Sequence, residues 1–398
     1  MFRDDFEIFN TGVIYFDNGA TTMKPKVVVD SMVDYYTKYT ANAHRGDYDN
    51  SLKVDALYEG VREKVAKFIN ADSPLEVVFT SGTTDSLNRV VFGFMESYLK
   101  EGDEVLLTAS EHASNMLPWF SLKEKIGIEI KYIPFTDDNE VSIENVKSVI
   151  TEKTKVISIA HVTNVLGDVR PVEKIGEICQ EKGILFVVDG AQSVPHRKVD
   201  VNKLHVDFLS FSAHKMLGPT GVGVLYGKKE LLGAMRPITL GGGMNTTFDL
   251  DGNYEVKTLP SKHEAGTPNI AGVIGLGSAI DYLEHIGMEN IERYEQELRA
   301  YLVSELKKIP NVVLYNENIN SSNVAFNLKD VFAQDTAVYL NHYHICVRAG
   351  NHCAKTLKSV LHVNNTCRIS LYFYNTKEEV DELVRVLKNS EDIFRVIL

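Results

Sequence analysis

The sequence predicts an α/β protein: a mainly parallel sheet covered by helices on both faces, followed by a smaller α+β unit. Three observations carry this. Short runs of apolar, β-rich residues alternate with stretches of helical spacing through residue 227, the pattern of strands joined by crossover helices. Two of the runs end abruptly in polar clusters. Ile184-Leu185-Phe186-Val187-Val188 gives way to Asp189-Gly190-Ala191-Gln192-Ser193, and Phe208-Leu209-Ser210-Phe211 gives way to Ser212-Ala213-His214-Lys215 and the turn Gly218-Pro219-Thr220-Gly221. From Leu240 the texture changes to a glycine-rich polar stretch, after which helices and short strands alternate again.

Ligand crevices in open α/β sheets lie beyond the carboxyl ends of the strands, so both polar clusters are expected to face one site. A lysine and an aspartate there suit pyridoxal phosphate. The amine holds the aldehyde, and the carboxylate sits beside the pyridine nitrogen whose protonated ring stores carbanion electrons. Alone, Asp189 reads as a turn residue and Lys215 as a surface charge.

Taken in order, residues 15–22 form a short extended piece ending in a turn, and 27–39 and 52–70 have helical spacing. The loop Asn42-Ala43-His44-Arg45-Gly46 lies between the two helices; His44 reads equally as a plain loop histidine. Residues 76–80 form a strand candidate, and Ser81-Gly82-Thr83-Thr84 then starts a helix. Gly82, Thr83 and Thr84 there offer N–H groups, hydroxyls and a positive dipole end to an anion such as the cofactor phosphate, although Ser and Thr before helices are mostly N-caps. Residues 105–109 lead to Glu111-His112-Ala113-Ser114-Asn115. Strand candidates 128–134 and 155–161 follow, the second ending in His161-Val162-Thr163-Asn164. Beyond the segment His263-Glu264-Ala265-Gly266-Thr267-Pro268, helices are expected over 270–283, 289–306 and 377–387, with strands over 312–315, 323–328, 345–348 and 367–372.

The chain has 398 residues, 44% of them apolar, enough for one large or two joined domains, and a net charge of −12 without a basic block gives nucleic-acid binding no support. Residues 1–10 lack an apolar core of signal-peptide length and no stretch approaches a membrane span, so a cytoplasmic protein is expected. Four cysteines, Cys179, Cys346, Cys353 and Cys367, are too few for a disulfide framework. Three read as small buried hydrophobes. Cys353 differs, standing in a polar loop, Val347-Arg348-Ala349-Gly350-Asn351-His352-Cys353-Ala354. Those spacings lack the paired grammar of a zinc site, so no metal is expected.

The Asp-Gly-Ala-Gln and Ser-Ala-His-Lys segments, the Gly-Pro-Thr-Gly turn and the Arg-x-Gly-x-His-Cys-Ala run resemble the class V aminotransferase-fold cysteine desulfurases, with the SUF-type (group II) branch as the best match, from Asp17 to Lys377. The resemblance implies a fold-type I pyridoxal-phosphate transferase with a seven-stranded sheet. Residues 15–283 would form the large cofactor-binding domain, and 1–14 and 284–398 the small domain carrying the cysteine loop. It implies that Gly82, Thr83, Thr84, His112, Asn164, Asp189, Gln192, Ser212, His214, Lys215 and Thr267 bind the cofactor. Thr267 would come from the partner subunit of a homodimer with shared active sites. His112 would shuttle protons over the ring, and Arg368, Asn164, Arg348 and His44 would meet the substrate. Lys215 would move the Cα proton of L-cysteine and Cys353 would take its sulfur as a persulfide, leaving alanine. A protein sulfur acceptor in iron–sulfur cluster assembly is the implied partner. What turns the Cys353 thiol into a thiolate stays open, His352 being one option. Ala349, Asn351 and Lys355 depart from the common loop pattern, and Gln334-Asp335 lacks the histidine found in relatives that hand sulfur to a zinc-bearing partner. Alternatives are a selenocysteine lyase, another class V aminotransferase or lyase, or a non-catalytic metal or sulfur carrier.

Overall fold

The structure, a computed structural model, describes residues 2–44, 46–315, 317–319 and 321–397. After a short strand β1 (Ile14–Tyr15) come the seven strands of the main sheet: β2 (Val77–Thr80), β3 (Glu104–Leu107), β4 (Glu129–Tyr132), β5 (Thr154–Ala160), β6 (Leu185–Asp189), β7 (Phe208–Ser212) and β8 (Gly223–Gly227). Their order is β2-β8-β7-β6-β5-β3-β4. Pairing is parallel from β4 through β7, and β8 runs antiparallel to both neighbours. The sheet is thus mixed but mostly parallel, as expected.

Side chains one apart on a strand face opposite ways. In β6, Phe186 and Val188 join one apolar core while Val187 joins another, and β7 divides Leu209 and Phe211 from Phe208 in the same way. Burial on both faces explains why these strands read as continuous apolar runs rather than alternating ones. Helix Ile270–Ile286 is apolar nearly all round and packs against helices Lys26–Lys38 and Asp49–Phe68, with the Asn269 side chain capping its first turn.

Beyond the main sheet lie a hairpin of β9 (Asn245–Phe248) and β10 (Tyr254–Val256), and then β11 (Val312–Tyr315), β12 (Asn323–Leu328), β13 (Ile345–Cys346), β14 (Arg348–Gly350) and β15 (Thr366–Ser370). Strands β11-β12-β15-β14 form an antiparallel sheet. Its core is separate, built from Leu302, Phe326, Leu340, Ile369, Leu383 and Leu387 among others. The closing helix Lys377–Lys388 begins with a capping box between Thr376 and Glu379.

Three expectations change. The strand expected over 345–348 is two strands, because β13 pairs with β1 whereas β14 pairs with β15. The hairpin of β9 and β10 lies in the polar stretch after Leu240, to which no strands were assigned, since Asn, Thr and Asp mask its alternation. The helix after Gly82 widens into a π-turn at Val90–Met95 between Thr83–Arg89 and Glu96–Tyr98. Among the described residues no helix is long and apolar enough to cross a membrane.

Candidate active site

A cavity of about 240 Å³ opens at the carboxyl ends of β5, β6 and β7, with Ala160, Asp189 and Ser212 in its wall. Asp189 ends β6, in register with Ala160 on one side and Ser210 on the other. One of its carboxylate oxygens accepts the Ala191 N–H at 2.9 Å. Burial pushes its carboxyl up to about 6, against the opposing pull of that N–H and of Lys215. Lys215 ends the tight turn Ala213–Lys215. That turn needs Gly218, because a Cβ there would come 2.9 Å from the Ala213 methyl. Burial brings the Lys215 amine down to about 8, with Asp189 pulling the other way. Hydrogen-bond partners for this amine are absent among the described residues.

A row of hydroxyls lines the adjoining wall. Ser212 Oγ accepts the Thr83 N–H at 2.8 Å and lies 2.7 Å from Thr83 Oγ1, and Thr84 Oγ1 lies 2.7 Å from Ser114 Oγ. Gly82 is not itself in the wall, but Gly223 of β8 presses on it so closely that a Cβ at 223 would meet Gly82 Cα at 2.4 Å. That approach sets the start of the helix against Ser212. His214 and His112 are both drawn down to about 4, chiefly by burial. His112 Nδ1 accepts the Ser114 N–H at 3.1 Å, which leaves Nε2 as the protonated nitrogen of a neutral ring.

The opposite wall belongs to the C-terminal sheet. Arg368 on β15 is buried, donating from Nη1 to the Asn164 carbonyl at 2.8 Å and from Nη2 to Asp17 Oδ1 at 2.8 Å. Its Nε has no partner among the described residues. Gly19 packs flat on the guanidinium, where a Cβ would lie 3.0 Å from Cζ. Gln192 holds Gly19 in place by donating to its carbonyl at 2.8 Å. Arg348 sits opposite Arg368 in the β14–β15 register and reaches Asp17 at 3.6 Å. Asp17 is therefore shared by two arginines.

Cys353 stands exposed at the cavity mouth, next to buried His352. Both residues are left-handed, with φ of 58° and 49°. The Cys353 carbonyl accepts the Ala113 N–H at 2.7 Å, and Asn164 Nδ2 donates to the His352 carbonyl at 2.6 Å. His352 itself does not serve the thiol as a cation. Its Nε2 lies 2.9 Å from the Thr366 carbonyl, and burial, then Arg368, draws it down to about 3. The cations that share the cavity with Cys353 are Lys215, Arg348 and Arg368.

Two predicted residues lie elsewhere. His44 contacts Asp55 and Glu59, and exposed Thr267 accepts from Asn42 Nδ2 at 3.3 Å; neither lines this chain's cavity. The segment before Thr267 is fixed by buried Arg62, whose two terminal nitrogens grip the Glu264 carboxylate at 2.7 and 2.9 Å. Cys179 and Cys367 are buried and their thiols pushed up by burial, whereas Cys346 is only half-buried.

An Aminotransferase class-V profile matches residues 14–383. The chain belongs to the class-V aminotransferase family. Among class-V relatives, a probable cysteine desulfurase of Halalkalibacterium halodurans is 44% identical, the match covering 98% of this chain and 96% of the relative. One of Staphylococcus aureus is 43% identical over 98% of this chain and 95% of the relative. The apo cysteine desulfurase of Thermococcus onnurineus NA1 superposes with a TM-score of 0.94 at 40% identity, covering 98% of this chain and 96% of that one. The S-sulfonic acid form of the Escherichia coli cysteine desulfurase CsdA gives 0.93 at 34%, covering 98% of each chain.

Beneath this class-V site lies a buried ionic network that sequence reasoning did not find. Arg170 pairs with Glu111, both side chains fully enclosed, and also donates to Thr108 Oγ1 and Ser110 Oγ at 2.6 and 2.7 Å. Glu111 accepts the Ala160 N–H at 2.8 Å and Arg170 donates to the Ala160 carbonyl at 3.1 Å, so the pair clamps the residue in register with Asp189. The two partners stand 59 positions apart, which no local pattern links. Arg170→Met strands the Glu111 charge and is expected to cost roughly 3–5 kcal/mol of stability, measured by urea unfolding.

Proposed function

We propose that this protein is a pyridoxal-phosphate-dependent cysteine desulfurase that converts L-cysteine to L-alanine and keeps the sulfur as a persulfide on Cys353. The observation that carries the proposal is the meeting of four groups in one cavity: the Lys215 amine, the Asp189 carboxyl, the Arg368 guanidinium and the Cys353 thiol. A plain class V aminotransferase has no use for the last of these.

The cavity suits the cofactor. Asn164 Oδ1 is buried without a partner among the described residues, which is costly unless a ligand satisfies it, and the Lys215 amine and one Asp189 oxygen face the cavity with no hydrogen bond from those residues. When bound, pyridoxal phosphate supplies an aldehyde carbon for an amine and a ring that stores carbanion electrons. Lys215 would hold it, Thr83, Thr84, Ser212 and His214 with Gly82 would receive its phosphate, and Asp189 would face its nitrogen.

The chain's own groups then divide the work. Arg368 and Asn164 orient the substrate carboxylate. An amine near 8 is poised to take and return a proton at neutral pH, so Lys215 Nζ moves the Cα proton. Neutral His112 relays protons through Nε2. Cys353 Sγ attacks the substrate sulfur. The new S–S bond forms as the Cβ–S bond breaks, the electron pair stays with the carbon skeleton, and protonation there gives alanine. Arg368→Lys loses the two-pronged grip and should raise the KM for L-cysteine roughly 10- to 100-fold, read from initial rates.

The finer expectations belong to the same proposal: the SUF-type branch, the division at 15–283, a cytoplasmic homodimer, and delivery of sulfur to a protein acceptor in iron–sulfur cluster assembly. The exposure of Thr267 outside its own cavity supports a partner subunit contributing it. The test adds L-cysteine and reductant to cofactor-loaded protein. Equal alanine and sulfide, with a one-sulfur mass gain on the Cys353 peptide when reductant is withheld, are expected. Alanine without that mass gain, or a keto acid in its place, overturns the reading.

A further inference from the structure

The geometry points to Thr356 as a positioning residue for the Cys353 thiol, a role that rests on Cys353 being the sulfur-accepting nucleophile. Two consecutive non-glycine residues in the left-handed region, His352 and Cys353, keep that conformation only where contacts outside the loop hold it. Among the described residues, the loop has three hydrogen bonds to segments that follow β3 and β5. Asn164 Nδ2 donates to the His352 carbonyl at 2.6 Å, the Ala113 N–H to the Cys353 carbonyl at 2.7 Å, and Thr356 Oγ1 to the Ala109 carbonyl at 2.6 Å.

These ties are unequal once a ligand arrives. Asn164 lines the cavity, so a ligand oxygen that accepts from its Nδ2 competes with the His352 carbonyl for that donor. The Ala113 N–H follows His112, which also lines the cavity. Thr356 lies outside the cavity wall, on the turn Lys355–Leu357 between Ala354 and Leu357, which pack with Val165 and Leu166. Its partner, Ala109, lies two residues past the end of β3 and is likewise outside the cavity. Apolar packing gives that turn affinity for the body but no fixed direction; the hydroxyl supplies the direction. Thr356 therefore keeps Cys353 Sγ at the mouth when a ligand draws on Asn164.

The test uses Thr356→Val, which keeps the shape and removes the hydroxyl, and Thr356→Ser, which restores it. The rate of Cys353 alkylation by iodoacetamide is followed by mass in cofactor-free protein and in protein loaded with pyridoxal phosphate plus saturating L-alanine. Thr356→Val should alkylate about five-fold faster than the parent, the order of one net hydrogen bond, with the larger change in the loaded state. It should also lower kcat for sulfide release with KM unchanged, and Thr356→Ser should return both readouts toward the parent. Parental alkylation rates for Thr356→Val in both states overturn the assignment, as does a Thr356→Ser protein as impaired as the valine variant. Absence of sulfide chemistry in the parent would sink the desulfurase reading alone, because the cofactor-free alkylation comparison does not depend on turnover.

Discussion

Cys353→Ser protein should take up pyridoxal phosphate with the parent's visible absorption and bind L-cysteine, yet release sulfide at least about 10³-fold more slowly, the scale of losing a covalent nucleophile. The side chain is exposed at the cavity mouth and carries none of the contacts that fix Lys215, Asp189 or Arg368, so the rest of the site should be undisturbed. A serine hydroxyl is too weak an acid to attack sulfur as its anion without a dedicated base, and the neutral His352 beside it faces Thr366 instead. Parental turnover in this variant would remove the persulfide from the mechanism while leaving the cofactor site intact.

Lys215→Met has the second large effect, and its sign differs between two measurements. Activity should fall by at least about 10²- to 10⁴-fold, since both the anchor for the cofactor and the proton carrier are gone. The cofactor-free variant should nevertheless melt at or above the parent's temperature. In the parent, a desolvated amine near 8 with no hydrogen bond or ion pair among the described residues is a cost that folding bears for the sake of the site. A clearly lower Tm for Lys215→Met would show that the amine is satisfied in the empty protein, and would count against that desolvation cost.

Much of this site was legible because its chemistry demands particular residue types at particular strand ends. Asp189 ends one strand and Lys215 follows the end of its neighbour, and the apolar runs that give way to polar clusters mark both places. Cys353 stands out by its polar Gly-Asn-His setting, whereas Arg368 is marked only by the family resemblance. What stayed hidden depends on pairs far apart in the chain. Asp17 reads as part of a turn, but the structure gives it to Arg368, 351 positions away. Thr356 looks like filler in a lysine-rich stretch until Ala109, 247 positions earlier, receives its hydroxyl. Within one chain His44 sits beside Asp55 and Glu59 and Thr267 beside Asn42, away from that chain's own cavity, and nothing local in the sequence shows this. The two-residue register of β13 on β1 could not be read at all, since nothing local distinguishes Cys346 from Arg348 as the place to change partners.

The bond between Asp17 and Arg368 also imposes a schedule on synthesis. Domains tend to form as they leave the ribosome, N-terminal parts first. Here the N-terminal segment carrying Asp17, Asn18 and Gly19 has its partners on the last strand, where Asn18 Nδ2 donates to the Ser370 carbonyl at 2.7 Å and the Gly19 N–H to Ser370 Oγ at 2.7 Å. A nascent chain can therefore complete the Lys215 turn long before it owns a carboxylate clamp or a thiol. Premature termination between the Lys215 turn and Cys353 would leave a polypeptide that has the aldehyde-binding amine but neither the arginine clamp nor the thiol.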